Sequence, residues 1–266
     1  MSNDSAREKD ASGLQNILQR YTTARVALGQ TGPAVPTQAQ LLFQLDHALA
    51  RDAIHTQLDT AALLRKLHKR ELKCIAVQSA VPAEPGETAR TIYLRRPDLG
   101  RALNAESEQA LQQFATGSAE APDVVFVVAD GLSALAVEHH ALPLLDATLA
   151  ALDHNAWRVG PIVIVSQGRV AIGDAIGSLL RAKLTVMLLG ERPGLSTPDS
   201  LGVYITWEPR PGRTDAERNC ISNIHLEGVN YVDAAARILF YMNGAKDLQA
   251  TGIGLKENTV TALPAG

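Results

Sequence analysis

From Thr37 the chain reads TQAQLLFQLDHALARDAI, which places Leu41, Leu42, Leu45 and Leu49 at the three- and four-residue spacing of one helical face. Thr37 is a candidate cap and Pro36 stands just before it, so a helix is expected here. A second helix is expected from DTAALLRKLHKRE. There Asp59 can cap the start, and basic residues gather in the last turn, beside the negative end of the helix dipole.

Beyond Leu72 the pattern shifts to short runs of strand length: LKCIAVQS, TIYL, DVVFVVAD, GPIVIVSQ, LTVMLLG and GVYITW. VVFVV, IVIV and LTVMLL are almost uninterrupted apolar runs, the signature of strands covered on both faces. The gaps between runs suit crossover helices, visible in SALAVEHHALPLLDATLAAL and GDAIGSLLRAK; VDAAARILFYMNGA supplies a late helix stopping near Gly244. The expected fold class is α/β, a Rossmann-like, doubly wound, mostly parallel sheet preceded by a small helical N-terminal region. The chain divides into a polar, disordered tail (1–13), the helical region (14–70), an α/β body (71–258) and a flexible C-terminal tail (259–266). VPAEPGETA, from Val81 to Ala89, reads as a surface connection.

Composition removes several function classes. With 266 residues, 46% hydrophobic and 20% charged, there is material for one substantial core. A net charge of -3 gives no long-range attraction to phosphate backbones, so a nucleic-acid partner is not expected. Cys74 and Cys220 are too few for a disulfide framework or a zinc cluster, which fits a reducing cytoplasm. The opening MSNDSAREKDAS lacks the apolar stretch of a secretory signal, and no run reaches membrane-helix length.

The candidate motifs mostly dissolve on inspection. GRVAIGD has the glycine spacing of a phosphate loop, but Asp174 stands where that loop needs Lys and Ala175 where it needs Ser or Thr. GIG near Ile253 lacks the third glycine of a dinucleotide fingerprint. His139 and His140 are adjacent on an expected helix and should point to different faces, one packed and one solvated, so no metal site is read from them. Asp130-Gly131 reads as a turn with Ser133 capping the helix that follows; its place at a strand end also admits a functional reading. Cys220 and His225 would suit a thiol nucleophile and its base, although proximity in sequence does not pair them. Arg210, Arg213 and Arg218 either face an anionic group or form a solvated loop.

Three loops remain: SQGRV ending at Val170, GERPG around Glu191 and AERNCISNIH around Cys220. Each follows an expected strand, and in a parallel sheet all three would emerge at one edge and converge on a large ligand. No coherent set of catalytic groups accompanies them, so binding is better supported than chemistry.

The segments TARVALGQTGPAVPTQAQLLFQLDHALARDA, YLRRPDLGRAL, VADGLSALAV, LLGERPGL and GRTDAERNCISNIH, in this order, resemble the light chain (small subunit) of ethanolamine ammonia-lyase from about Tyr21 to Leu255. The resemblance implies an adenosylcobalamin-dependent lyase converting ethanolamine to acetaldehyde and ammonia by radical chemistry. The substrate-binding TIM barrel would lie in a heavy chain, with this chain covering the other side of the cofactor. It further implies a hexamer of heavy-light heterodimers and a reactivating factor. Carried over by motif, the family's cobalamin contacts fall at Val170, Glu191 and Cys220. The chain has no DxHxxG, so the cofactor is expected base-on, with dimethylbenzimidazole still on cobalt. Some members carry a longer amino-terminal extension linked to packaging in an ethanolamine-utilisation bacterial microcompartment, whereas here a short polar segment precedes Tyr21. The alternative from another class is a stand-alone α/β hydrolase or transferase using Cys220 and His225.

Overall fold

The computed structural model describes residues 33–82, 88–118 and 120–256, together with Ile17 and Leu28. The tails expected at 1–13 and 259–266, and the middle of the Val81 to Ala89 connection, lie outside the described residues. Helix α1 (Thr37–His55) begins at Thr37 itself; Pro36 occupies the cap and no side chain caps the end, a correction to the expected Thr37 cap. Helix α2 (Thr60–His68) is capped as expected, the Asp59 carboxylate accepting the Ala62 N–H at 2.8 Å.

Strand β1 (Cys74–Gln78) follows, then helices α3 (Ala89–Arg95) and α4 (Ala105–Gly117) and strand β2 (Val124–Ala129). The TIYL run, expected as a strand, lies within α3. The Thr88 hydroxyl accepts the Thr91 N–H, and Ile92 and Tyr93 are buried on the inner side. A capped turn with an apolar stripe has outweighed the β-branched and aromatic composition. After β2, Ser133 caps a helical turn (Ala134–Ala136), which runs through a π turn (Val137–Ala141) into α5 (Leu142–Ala151). The remaining elements are β3 (Ile162–Ser166), α6 (Ile172–Leu179), β4 (Leu184–Gly190), β5 (Leu201–Trp207), β6 (Arg218–Ile224) and α7 (Tyr231–Leu248). Helix α7 passes Gly244 and ends only at Gln249, which takes the left-handed conformation.

The architecture is mixed α/β around a six-stranded sheet of order β1-β3-β2-β4-β5-β6. The first four strands in that order pair in parallel, while β5 and β6 join antiparallel. GVYITW therefore does not extend the parallel array. Residues 191–200 between β4 and β5 hold no helix. A parallel crossover needs a dozen or more residues, usually helical, so the chain folds straight back.

The two sheet faces are covered unequally. On one, Val124, Phe126, Val128, Val186 and Leu188 pack with Leu63 and Leu67 of α2, Leu144 and Leu145 of α5, and Ile238 and Met242 of α7. On the other, Val125, Val127, Val163 and Met187 pack with Leu111 of α4 and with Ile172 and Ile176 of α6. Alternation along β6 places Arg218, Cys220 and Ser222 on this second face. There Cys220 and Ser222 are exposed, whereas Arg218 at the start of the strand is buried against Asp174 of α6.

Candidate functional site

A cavity of about 650 Å³ opens where the C-terminal ends of β2, β3 and β4 meet this less covered face. Gly131 and Leu132 line it after β2, Arg169 and Val170 after β3, and Glu191 and Arg192 after β4; Tyr204 of β5 and Thr214 complete the far wall. The framework beneath is a buried polar cluster. Asp130 accepts the Gly168 N–H at 3.1 Å and faces Arg90 at 3.3 Å, while Arg90 also donates to the Gly131 carbonyl at 2.8 Å. Burial pushes the Asp130 carboxyl up to about 6, with Arg90 and the N–H groups of Gln167 and Gly168 pulling the other way. Asp130 is thus inside the structure and ties the turns after β2 and β3 together, rather than lining the cavity.

Glu191 leaves β4 and turns across β5. Its Oε2 accepts the Ser200 hydroxyl at 2.5 Å and the Asn223 N–H at 3.2 Å, pinning the carboxylate across both antiparallel strands. A Cβ at Gly202 would meet Oε1 at 2.8 Å, so this glycine makes the room in which the carboxylate lies. Oε1 itself accepts no hydrogen bond among the described residues and remains a charged acceptor at the cavity wall. Val170 stands just ahead of α6 with its carbonyl engaged by the Gly173 N–H at 3.1 Å. Its side chain packs partly against the core beneath the sheet face, leaving the residue half-buried in the cavity wall.

Cys220 is not in a loop, as the AERNCISNIH reading had it. It is a residue of β6, opposite Tyr204 of β5, with the Ser222 hydroxyl 3.3 Å from its sulfur. Desolvation at the sheet surface raises the thiol pKa, and the carboxylates of Glu191 and Asp215 raise it further against the donors Ser222 and Tyr204. The Tyr204 phenol is likewise pushed up, first by desolvation and then by the same neighbours, and keeps its proton. Val170 and Glu191 line the cavity; Cys220 adjoins it beside Tyr204, on the same sheet face as the Glu191 carboxylate. What joins the three is a shared face. The common edge expected from a parallel sheet does not exist for Cys220, because residues 208–217 connect β5 to β6 at the opposite end.

His225 lies beyond the end of β6, with Nε2 3.0 Å from the Asn223 side-chain oxygen. Five strand residues span roughly 16 Å, so Cys220 and His225 do not form a nucleophile-base pair. Arg213 pairs with Glu217 and Glu208, and Arg218 with Asp174 at 2.6 Å, whereas Arg210 plays no part in the cavity wall. His139 is exposed and His140 buried, as one packed and one solvated histidine should be, yet both rings reach Asp199 Oδ2, at 2.9 and 3.2 Å. The π turn brings these neighbours to one carboxylate, which the geometry of a regular helix does not anticipate. Burial lowers the His140 pKa, and Tyr231 holds its other ring nitrogen at 2.8 Å.

A comparison with protein families matches residues 13–256 to the ethanolamine ammonia-lyase light chain (EutC). The chain belongs to the ethanolamine ammonia-lyase light-chain family. Among curated relatives, the ethanolamine ammonia-lyase small subunit of Pseudomonas fluorescens (strain Pf0-1) is 51% identical over 240 residues, covering 90% of this chain and 85% of the relative. The small subunits of Pseudomonas aeruginosa (strain LESB58) and Pseudomonas syringae pv. tomato (strain DC3000) are 50% and 49% identical over the same length, with 86% and 82% of those chains covered. Family membership makes the chain part of a lyase complex. Among the described residues no helix is long and apolar enough to cross a membrane. Tyr204 and Arg169, both in the cavity wall, were not singled out from the sequence. Tyr204 is the one half-buried side chain in an otherwise buried strand, a distinction that only the fold makes visible.

Proposed function

We propose that this chain is the cobalamin-covering subunit of an ethanolamine ammonia-lyase, working against a catalytic TIM-barrel heavy chain. The observation that carries the reading is Glu191, whose Oε2 is tied down while Oε1 is left as an acceptor beside an open sheet face. The rim of a corrin carries amide side chains, and amide N–H groups taken out of water need such acceptors. The face also supplies the apolar surface of Val170 and the soft sulfur of Cys220, so the residues present fit the group. Adenosylcobalamin, bound base-on, would supply the carbon radical for conversion of ethanolamine to acetaldehyde and ammonia. The chain's own part is to bind, orient and exclude water: Glu191 would hold the group as an acceptor for its amides, Val170 would give it apolar contact, and Cys220 would contact it without bond making. Its protonated thiol suits contact and not attack.

The exposed leucines Leu41, Leu42, Leu45 and Leu49 along α1 support an association with a partner chain. We assign these contacts to the heavy chain, in a hexamer of heavy-light heterodimers served by a reactivating factor. The four parallel strands, of which β2, β3 and β4 are covered on both faces, are read as a Rossmann-like, doubly wound frame at 71–258, after a helical region at 14–70. A cytoplasmic setting, with or without a microcompartment, fits the same reading. Titrating adenosylcobalamin into the reconstituted heavy-light complex tests it. Saturable binding that weakens in Glu191→Gln is expected, and equal affinity in the heavy chain alone would remove this chain from the cofactor site.

A further inference from the structure

The cavity wall is rich in positive charge although the chain as a whole carries a net charge of -3. Arg101, Arg169, Arg192, Arg213 and Arg218 line it, against the carboxylates of Glu191 and Asp215. Two of these guanidiniums are neutralised within the chain, Arg213 by Glu217 and Arg218 by Asp174. Arg101, Arg169 and Arg192 form no ion pair among the described residues. Arg169 is held in place nonetheless. Its guanidinium stacks 4.4 Å from the centre of the Tyr93 ring, its N–H donates to the Gly100 carbonyl at 2.8 Å, and its Nε is buried without a hydrogen-bond partner. The same backbone bond sets the turn carrying Arg101 against the loop carrying Arg169. The Tyr93 hydroxyl, donating to the Gly168 carbonyl at 2.8 Å, fixes the platform from below.

A fixed guanidinium without a carboxylate, flanked by two others in one concavity, is arranged for an anion that guanidinium forks can grip, and tetrahedral phosphate oxygens match that fork. We propose that Arg169, assisted by Arg101 and Arg192, forms a phosphodiester subsite of the cavity, and that it takes the phosphate of the cofactor's nucleotide loop. This rests on the cobalamin reading above, and it adds the end of the ligand that Glu191 does not reach. The corrin amides are neutral, and the phosphodiester is the anionic group of the cofactor's tail. On this reading the arginine wall would take the nucleotide loop, and Glu191 the corrin rim.

The test compares cobinamide, which lacks the nucleotide loop, with cobinamide phosphate, which keeps the phosphate, by absorption titration of the heavy-light complex. The phosphate ester should bind the wild-type complex about tenfold or more tightly than cobinamide, as charge-assisted bonds allow. Arg169→Gln should abolish most of that advantage while leaving cobinamide affinity unchanged, which also serves as the control for folding. Arg192→Gln, at an exposed position, should reduce the advantage without touching the Tyr93 platform. Inorganic phosphate, added as a competitor, should weaken cobinamide phosphate and not cobinamide. An equal advantage in wild type and both variants overturns the subsite. So does phosphate binding that needs Arg169 but never competes with the ester, since the anion would then be a free one. If the wild-type complex binds cobalamin but shows no preference for the ester, the subsite alone falls; if it binds no corrinoid, the cobalamin reading falls first.

Discussion

At the scale of single residues, Glu191 does two jobs with two oxygens, and substitution should separate them. Glu191→Gln keeps the shape but removes the charge from the free acceptor, at a cost of about 1 to 3 kcal/mol in cobalamin affinity, with turnover at saturating cofactor largely retained. Cofactor titration and saturated rates measured on one preparation check both halves. Cys220→Ser should leave turnover measurable, because the thiol is kept protonated and has no base within reach. A second residue bears on acid stability. The Thr214 N–H, bonded at 2.7 Å, and the Arg213 guanidinium hold the Glu217 carboxyl down at about 2, below its ordinary 4.5. A depressed carboxyl contributes stability in full above its unfolded value and loses it as pH falls through the folded one. Melting temperatures between pH 5 and 2 should therefore fall less steeply in Glu217→Gln than in the wild type, and parallel curves would remove Glu217 from the acid limb. Position explains which residues could be read in advance. Glu191 sits at the end of an apolar run and stands out, whereas Arg169 acquires its setting only from Tyr93, a residue distant in sequence and brought close by the fold.

At the scale of elements, the apolar strands β2, β3 and β4 were readable because both their faces are covered, which leaves an uninterrupted hydrophobic run. Strand β6 was not. Its sequence RNCISNI hides the pleat, because Asn219 points inward to the Leu255 carbonyl at 2.7 Å while Arg218 and Cys220 take the open face. Alternation by polarity fails when a buried residue is polar and hydrogen-bonded. The direction of β5 was likewise hidden, since strand composition does not distinguish parallel from antiparallel and only the helix-free 191–200 connection does. The junction that carries the cavity depends on Gly190, at the end of β4. A Cβ there would meet the Ser133 carbonyl oxygen at 2.0 Å and that of Asp130 at 2.5 Å, so the β2 turn closes onto bare backbone. Gly190→Ala should destabilise the chain by roughly 1 to 3 kcal/mol through overpacking. Urea denaturation of the isolated chain measures this, and an unchanged midpoint would mean that the turn is free to move aside.

At the scale of the whole molecule, what the chain lacks is as informative as its cavity. The Cys220–His225 alternative required a self-sufficient site, and the strand separation between those residues removes its nucleophile-base pair. The lined cavity holds arginines, the carboxylates of Glu191 and Asp215 and a protonated phenol, a set that grips and orients a ligand without a paired nucleophile and base. Its walls end on an open sheet face, and helix α1 leaves four leucines in water on the same chain. Exposed apolar surface of this kind is retained where a partner covers it. The isolated chain should accordingly show no ammonia-lyase activity, with or without adenosylcobalamin. Mixing it with its heavy chain, the cofactor and ethanolamine should release acetaldehyde and ammonia. Leu42→Asp and Leu45→Asp together, placed on solvent-exposed positions of α1, should leave the fold of the free chain intact by circular dichroism and weaken assembly with the heavy chain in sedimentation. Acetaldehyde release by this chain alone would overturn the division of labour between the two chains, because the reaction would then need no surface beyond this one.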